Sequence, residues 1–437
     1  MRKTALLLLF FTYAAQAQKA MTFADCLEQT LANNLQLKSA SFDEKIALAQ
    51  HRGSYGQMMP AITADGENRN SWGKELDPDT NTFTRENLRN NEGTLNAYFN
   101  LFQGLTVHNN IKLARQEKEL TRTNIQLLRN QITIDVAQRF ITILYLQEII
   151  AAGEQQIAAS TKQLEMADLK FNAGVISESE LFKIKAQKAS EEVNLLTNKN
   201  RLTDNMISLK QLMNIPLDTE IILLKPELKL DENLMPSGNE FEIAQKAVDI
   251  HPAFQASILE MKKKRTELAL ARALRWPTLT MRLMYRSNYD SNIREAVPFD
   301  EQLDENTSKQ IRFYLTIPIF NQFRNNVKIK TQKMLFRQAV VATEIERNRL
   351  SKEVILAVND AKTAVKKNEA SSIAMDFSQK SYDADLLKFE VGKININELN
   401  TTKINYNNVQ AELIQSKYDL MFKNALIKFY QGEPFML

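Results

Sequence analysis

Residues 319–391 read IFNQFRNNVKIKTQKMLFRQAVVATEIERNRLSKEVILAVNDAKTAVKKNEASSIAMDFSQKSYDADLLKFEV, with no glycine and no proline before Gly392. Apolar residues recur at helical spacing: Val341, Ile345, then Leu350, Val354, Val358, Ala361, Val365, later Met375, Leu386 and Phe389. A helix of that length spans about 100 Å at 1.5 Å per residue. Globular helices are usually three or four turns long. A helix this long cannot wrap one compact core and must lie beside other long helices, as in a coiled coil.

A second stretch without breakers runs from Leu105 to Ala152. Ile125, Leu128, Ile132, Val136, Phe140 and Ile143 mark its apolar stripe, which continues past Gly153 to Phe171. Gly174 stops it. Ser177 then opens a further helix to about Asn214, with Glu180 three residues on in a capping-box arrangement. Before the long helices the period changes to two. Leu95, Ala97, Phe99 and Leu101 alternate with Asn96, Tyr98 and Asn100; Leu279, Met281, Leu283 and Tyr285 alternate with Thr280, Arg282, Met284 and Arg286. Strands are expected at about 61–73, 93–103, 278–290 and 309–319, and long helices at about 105–172 and 321–391. The stretch from Ser291 to Ser308 reads as an acidic, Asn-rich loop.

The chain repeats itself. Leu387-Lys388-Phe389-Glu390-Val391-Gly392 answers Leu169-Lys170-Phe171-Asn172-Ala173-Gly174, and Trp276-Pro277 answers Met59-Pro60. Repeat one covers about 22–215 and repeat two about 239–431. Between them a linker at 216–238, marked by Pro216, Pro226 and Pro236, carries a short apolar strand at Ile221 to Leu224. Each repeat reads helix, strand, strand, long helix, turn, helix.

Residues 1–17 read as a secretory signal peptide: Arg2 and Lys3, an apolar stretch from Ala5 to Tyr13, and Ala15-Gln16-Ala17 as the cleavage site. The alternative is a membrane anchor, for which the apolar part is too short. Without Arg2 and Lys3 the chain carries 54 basic and 52 acidic residues, no electrostatic footprint for nucleic acid. Cys26 is the single cysteine, so no intrachain disulfide forms. The three histidines, His51, His108 and His251, are far apart. HExxH, CxxC, GxGxxG and Walker patterns are absent, which argues against hydrolase, redox and nucleotide chemistry.

The strands leave two readings open. Their apolar side packs on the helices, as in most half-buried sheets, or it meets lipid while the polar side lines a lumen. In the second reading Arg282, Arg286 and Arg312 are lumen candidates, and four strands are too few to close a barrel, so several chains must share one.

With these features in place, the chain resembles the TolC family of outer-membrane efflux and secretion ducts over essentially its whole length. The resemblance rests on the tandem repeat, the strand starts at Pro60 and Pro277, the strand-to-helix junctions Leu101-Phe102-Gln103-Gly104 and Pro318-Ile319-Phe320, and the turns Phe171-Asn172-Ala173-Gly174-Val175 and Phe389-Glu390-Val391-Gly392-Lys393. It implies a mainly α protein with a β part: a homotrimer whose long coiled-coil helices form an α-helical barrel, each chain giving four strands to a 12-stranded transmembrane β-barrel. It implies a passive exit duct in the outer membrane, reaching into the periplasm, for small toxic compounds. The implied partners are a periplasmic adaptor protein, an inner-membrane pump and outer-membrane lipid, with no nucleic acid, no cofactor, no metal and no catalysis. Protein secretion through the same duct is one alternative; a secreted coiled-coil scaffold without a pore is another. The reversing turns at Gly174, Val175, Gly392 and Lys393 would form the periplasmic tips where the adaptor docks. Glu398 falls at the place of an acidic ring at the periplasmic gate, with Glu180 its counterpart in repeat one. Asn400 and Thr401 stand where the family has a second acidic ring. For Glu180 and Glu398 a plain helix-start role is the competing reading.

Overall fold

The structure is a computed structural model that describes residues 19–76, 81–226, 239–291 and 297–437. The expected signal peptide at 1–17, Pro78, Pro236 with most of the linker, and part of the acidic loop lie outside the described residues. In chain order the elements are β1 (Lys19–Met21), α1 (Phe23–Asn33), α2 (Leu35–Ser54), a 3₁₀ turn (Tyr55–Met58), β2 (Ala61–Leu76), β3 (Phe83–Gln103), α3 (Thr106–Asn172), α4 (Glu178–Met213), β4 (Ile221–Leu223), α5 (Glu240–Ile250), α6 (Pro252–Ala273), β5 (Thr278–Asp290), α7 (Phe299–Glu305), β6 (Thr307–Thr316), α8 (Arg324–Glu390) and α9 (Ile396–Tyr430). The protein is mainly helical with a minor sheet part.

Helix starts are set by side chains that satisfy orphan backbone donors. Thr22 and Asp25 form a capping box at α1, with Asp25 N–H donating to Thr22 Oγ1 at 3.2 Å and Thr22 N–H to Asp25 Oδ2 at 2.8 Å. Asn34 separates α1 from α2: its Oδ1 accepts from Gln36 N–H at 2.9 Å, and its Nδ2 donates to the Leu212 carbonyl of α4 at 3.1 Å. Asn239 caps α5 and Asn395 caps α9.

The chain divides into two compact bodies. The first holds the described residues up to Ser41, with Ile125–Phe254 and Arg347–Leu437. Its main core gathers Phe23 and Cys26 of α1, Phe140 and Ile143 of α3, Leu209 and Met213 of α4, Tyr418 of α9 and Phe435. Cys26 is a buried free thiol in that core. A parallel two-stranded sheet seals it, with β1 pairing β4 from Lys19↔Ile221 to Met21↔Leu223. The apolar strand of the linker thus has a partner that three residues are too short to announce by alternation.

The second body holds Phe42–Asn124 and Gln255–Glu346. It contains an antiparallel sheet in the order β2-β3-β5-β6. The first hairpin pairs Ala61↔Tyr98 through Leu76↔Phe83, and the second pairs Thr278↔Thr316 through Ser287↔Thr307. β3 and β5 join the two hairpins, with a bulge between Asn100 and Phe102.

Three expectations need correction. The long second-repeat helix begins at Arg324, later than 319–321, because Gln322 and Phe323 take φ of +56° and +61° and turn the chain before it. β6 ends at Thr316, earlier than 319, because Pro318 offers no N–H to a ladder and restrains the residue before it. β3 begins at Phe83 rather than 93; its outer part is too polar to show alternation, yet it pairs throughout with β2. In addition, the stretch 291–308 is not all loop. It contains α7, where Gln302 accepts from Asp290 N–H at 3.1 Å and donates to the Val297 carbonyl at 3.1 Å.

Candidate functional site

Three places collect the polar chemistry: the helix reversals, a buried cluster between helices of the first body, and one face of the four-stranded sheet.

The two reversals are built alike. Each long helix ends in the pair of bonds that closes a helix on a left-handed residue. Gly174 (φ +73°) donates to Phe171 O at 2.8 Å and Val175 to Lys170 O at 2.8 Å. Gly392 (φ +74°) donates to Phe389 O at 3.1 Å and Lys393 to Lys388 O at 2.8 Å. Beyond the turns, the caps of α4 and α9 engage the two nominated carboxylates. Glu180 Oε2 accepts from Ser177 N–H at 3.2 Å, and Glu398 Oε1 accepts from Asn395 Nδ2 at 2.8 Å. The reversals are brought together by Leu181, Ile184, Ile396 and Leu399, all buried, with Ala167. A cleft of about 410 Å³ between them is lined by Glu180, Glu398, Lys170, Lys393, Val175 and Gly392 among others. Lys170 Nζ lies 5.1 Å from the Phe389 ring centroid, and Lys183 Nζ donates to Asn397 Oδ1 at 3.1 Å. Glu398 and Thr401 are exposed and Asn400 is half-buried. Thr401 Oγ1 returns to its own helix, donating to Asn397 O at 2.9 Å.

The buried cluster is absent from the sequence reading. Lys403 of α9 is 3% exposed and Glu191 of α4 is 6% exposed. Their Nζ and Oε1 atoms lie 2.9 Å apart. Ser160 of α3, also buried, donates to Glu191 Oε2 and accepts from Lys403 Nζ. Gln187 Nε2 donates to Glu191 Oε1 at 3.0 Å. Burial alone would raise the Glu191 pKa, but the hydrogen bonds from Ser160, Lys403, Gln156 and Gln187 outweigh it and hold the carboxyl below its ordinary value. The signal was present but unreadable in one helix: Lys403 continues the apolar spacing of Ile396 and Leu399, where a charge must find a buried partner.

On the sheet, cross-strand partners share a face. Arg282 stands opposite both Tyr98 and Arg312, and Arg286 opposite Thr94 and Ser308. All three nominated arginines therefore lie on one face, with Asp65, Glu92 and Asn96. Arg286 Nη2 lies 2.8 Å from Glu92 Oε2. The other face carries Leu279, Met281 and Leu283 opposite Leu315, Phe313 and Ile311. Among the described residues no group of three or more His, Cys, Asp or Glu is placed to hold a metal ion. No described helix is long and apolar enough to cross a membrane.

A model of the outer membrane efflux protein family matches residues 26–214 and 243–430, one copy of the pattern in each repeat. The cobalt-zinc-cadmium resistance protein CzcC of Cupriavidus metallidurans is 24% identical over 291 residues, 65% of this chain and 64% of that protein's length. In the solved structures, CusC superposes with a TM-score of 0.81 at 16% identity, covering 94% of this chain and 92% of CusC. The CmeC outer membrane channel of Campylobacter jejuni superposes with a TM-score of 0.83 at 15% identity, covering 95% of this chain and 87% of CmeC. At such identities the superpositions speak for the fold, and the two family matches reach both repeats. The chain belongs to the outer membrane efflux protein family.

Proposed function

We propose that three copies of this chain form a passive exit duct in the outer membrane, through which small toxic compounds leave from a periplasmic pump and adaptor. The observation that carries this reading is the four-stranded sheet. β2 and β6 are its edges, and one face exposes Ile311, Phe313 and Leu315 to about two thirds. An open edge beside an apolar exposed face is unstable in water and forbidden in lipid, where each unpaired backbone group costs several kcal/mol. Four strands cannot close on themselves, whereas three copies supply twelve and leave a passage wider than side chains fill. Each repeat then contributes one hairpin to the barrel and one helical pair to the periplasmic part. Gly174, Val175, Gly392 and Lys393 would present the tips to the adaptor. Envelope fractionation with unboiled gel electrophoresis tests the core of the proposal. The chain is expected in the outer-membrane fraction, migrating at about three times its 50.1 kDa mass and collapsing on boiling; a soluble periplasmic monomer would overturn it.

Within that duct Glu398, at the start of α9, is proposed as the carboxylate ring of the periplasmic gate. Three symmetric carboxylates at one constriction make a cation site. Asn400 and Thr401 supply no second ring, so the site is a weak one. Glu398→Ala is expected to relieve block of single-channel current by multivalent cations. Block that persists in the variant would return Glu398 to its capping role alone.

A further inference from the structure

The three arginines on the polar face of the sheet are not equivalent. Arg286 is neutralised by Glu92 at 2.8 Å. Arg282 and Arg312 stand directly opposite each other on β5 and β6, and the rung they share continues through Tyr98 to Ala61, with no carboxylate on it. Arg282 spends its Nε and Nη2 donors on one neutral acceptor, Asn96 Oδ1, at 3.1 and 2.8 Å. Its guanidinium lies 5.2 Å from the Tyr98 ring centroid. Asn96 is 3% exposed and passes its own Nδ2 hydrogen to Asp65 Oδ2 at 3.0 Å. The Asp65 carboxylate thus reaches this rung through an amide. Arg312 Nη2 donates to Gln310 Oε1, again a neutral acceptor. Among the described residues neither guanidinium makes an ion pair.

Like charges placed directly opposite destabilise a sheet. Here both are also held in place by amides, which fix geometry without cancelling charge. Each guanidinium has five donors; the Tyr314 hydroxyl accepts a further hydrogen bond from each of them, and donors remain on both forks. A fixed, uncompensated pair of guanidiniums is the arrangement that recognises oxyanions, two hydrogen bonds at a time. Resting on the duct reading above, we propose that Arg282 and Arg312 form an anion-attracting girdle in the lumen of the barrel. It draws in inorganic anions and the phosphate or carboxylate groups of cargo, and it repels cations. Three-fold assembly sets six guanidiniums at one level. Rings of one sign select ions of the other. The girdle thus opposes in sign the Glu398 ring proposed at the gate.

The test is the full protein reconstituted in planar bilayers, with the chloride-to-potassium permeability ratio read from reversal potentials and tripolyphosphate used as a blocking probe. R282Q/R312Q is expected to lower the ratio about sevenfold, because a focused potential of roughly one kT favours the anion and disfavours the cation by a factor e each, and to relieve the tripolyphosphate block. Because Arg282 also anchors Asn96, R312Q is measured in parallel, where the ratio falls in the same direction. Lys309→Gln serves as the control. Lys309 lies on the opposite face, 5.9 Å over the Tyr285 ring, and its removal leaves the ratio unchanged. Channels whose ratio and block are the same in wild type and both arginine variants overturn the girdle and leave the duct standing. Wild-type protein that forms no channel at all overturns the duct itself.

Discussion

At the level of single residues, Lys403 and Glu191 are the buried charged side chains among the described residues. Both groups are buried, and Ser160 completes the hydrogen bonding. Removing one partner strands the other charge in low dielectric, which typically costs about 3–5 kcal/mol, whereas replacing both by apolar groups of similar volume is often neutral or better. Lys403→Ala and Glu191→Ala are therefore each expected to destabilise the helical body by about that amount, and K403M/E191L to cost little or nothing. Chemical unfolding followed by circular dichroism measures all three; a double variant as unstable as the singles would contradict the account. The pH dependence follows from the sign. The Glu191 pKa is depressed in the folded state, so its stabilisation is present above the ordinary carboxylate range and disappears as pH falls through the lowered value. Acid should weaken the wild type more steeply than K403M/E191L. The cluster was hidden in the sequence because Ser160 and Lys403 are 243 positions apart. A single helix reveals that a charge sits at a core position, and never with whom.

The elements of the two repeats are copies that the chain has tuned separately, and the strand-to-helix junction shows it best. Gly104 and Leu105 take φ of +58° and +67°; 218 positions on, Gln322 and Phe323 take +56° and +61°. In the first copy glycine is compulsory, because a Cβ would stand 2.6 Å from Trp276 Cβ and 2.8 Å from the Ala273 carbonyl. In the second copy Gln322 carries a side chain in a conformation that costs an L-residue about 1–2 kcal/mol. Gln322→Gly is thus expected to raise stability by up to about 1 kcal/mol, less than the full strain because glycine also loses more chain entropy. Gly104→Ala should lose more than that. Urea midpoints of the two variants decide it, and a Gln322→Gly variant less stable than wild type would refute the strain. Such details mark the boundary of what the sequence discloses. The Gly174 and Gly392 turns were readable because glycine names a left-handed position. The same geometry at Gln322 and Phe323 reads as helix in the sequence, since neither residue type announces it. β1 is too short to show a period, and α7 was masked by an acidic, polar composition that resembles a loop.

At the scale of the whole molecule, what could be read from one chain is the mainly helical character with a small sheet, because 3.6- and 2-residue periods are properties of a segment. Which strands lie at the edges, and which residues share a face, are properties of pairing, which only the sheet exposes. The two readings of the strands left open by alternation differ in where the apolar face goes, and that difference is measurable. Met281 and Phe313 face each other across β5 and β6, flanked by Leu283–Ile311 and Leu279–Leu315, and Phe313 is 62% exposed. If this face meets lipid, Phe313→Arg places a charge in hydrocarbon at a cost of about 2–4 kcal/mol near the bilayer midplane, repeated in every copy of the assembly. Asn288→Arg, on the polar face opposite Glu92, adds the same charge to the lumen and avoids that cost. Assembly into phospholipid vesicles, scored as heat-sensitive trimer on unboiled gels, should therefore fall sharply for Phe313→Arg and hold near wild type for Asn288→Arg. Equal tolerance of the two would mean that the apolar face is covered by protein rather than lipid, and the barrel would have to be given up in favour of a sheet packed on helices.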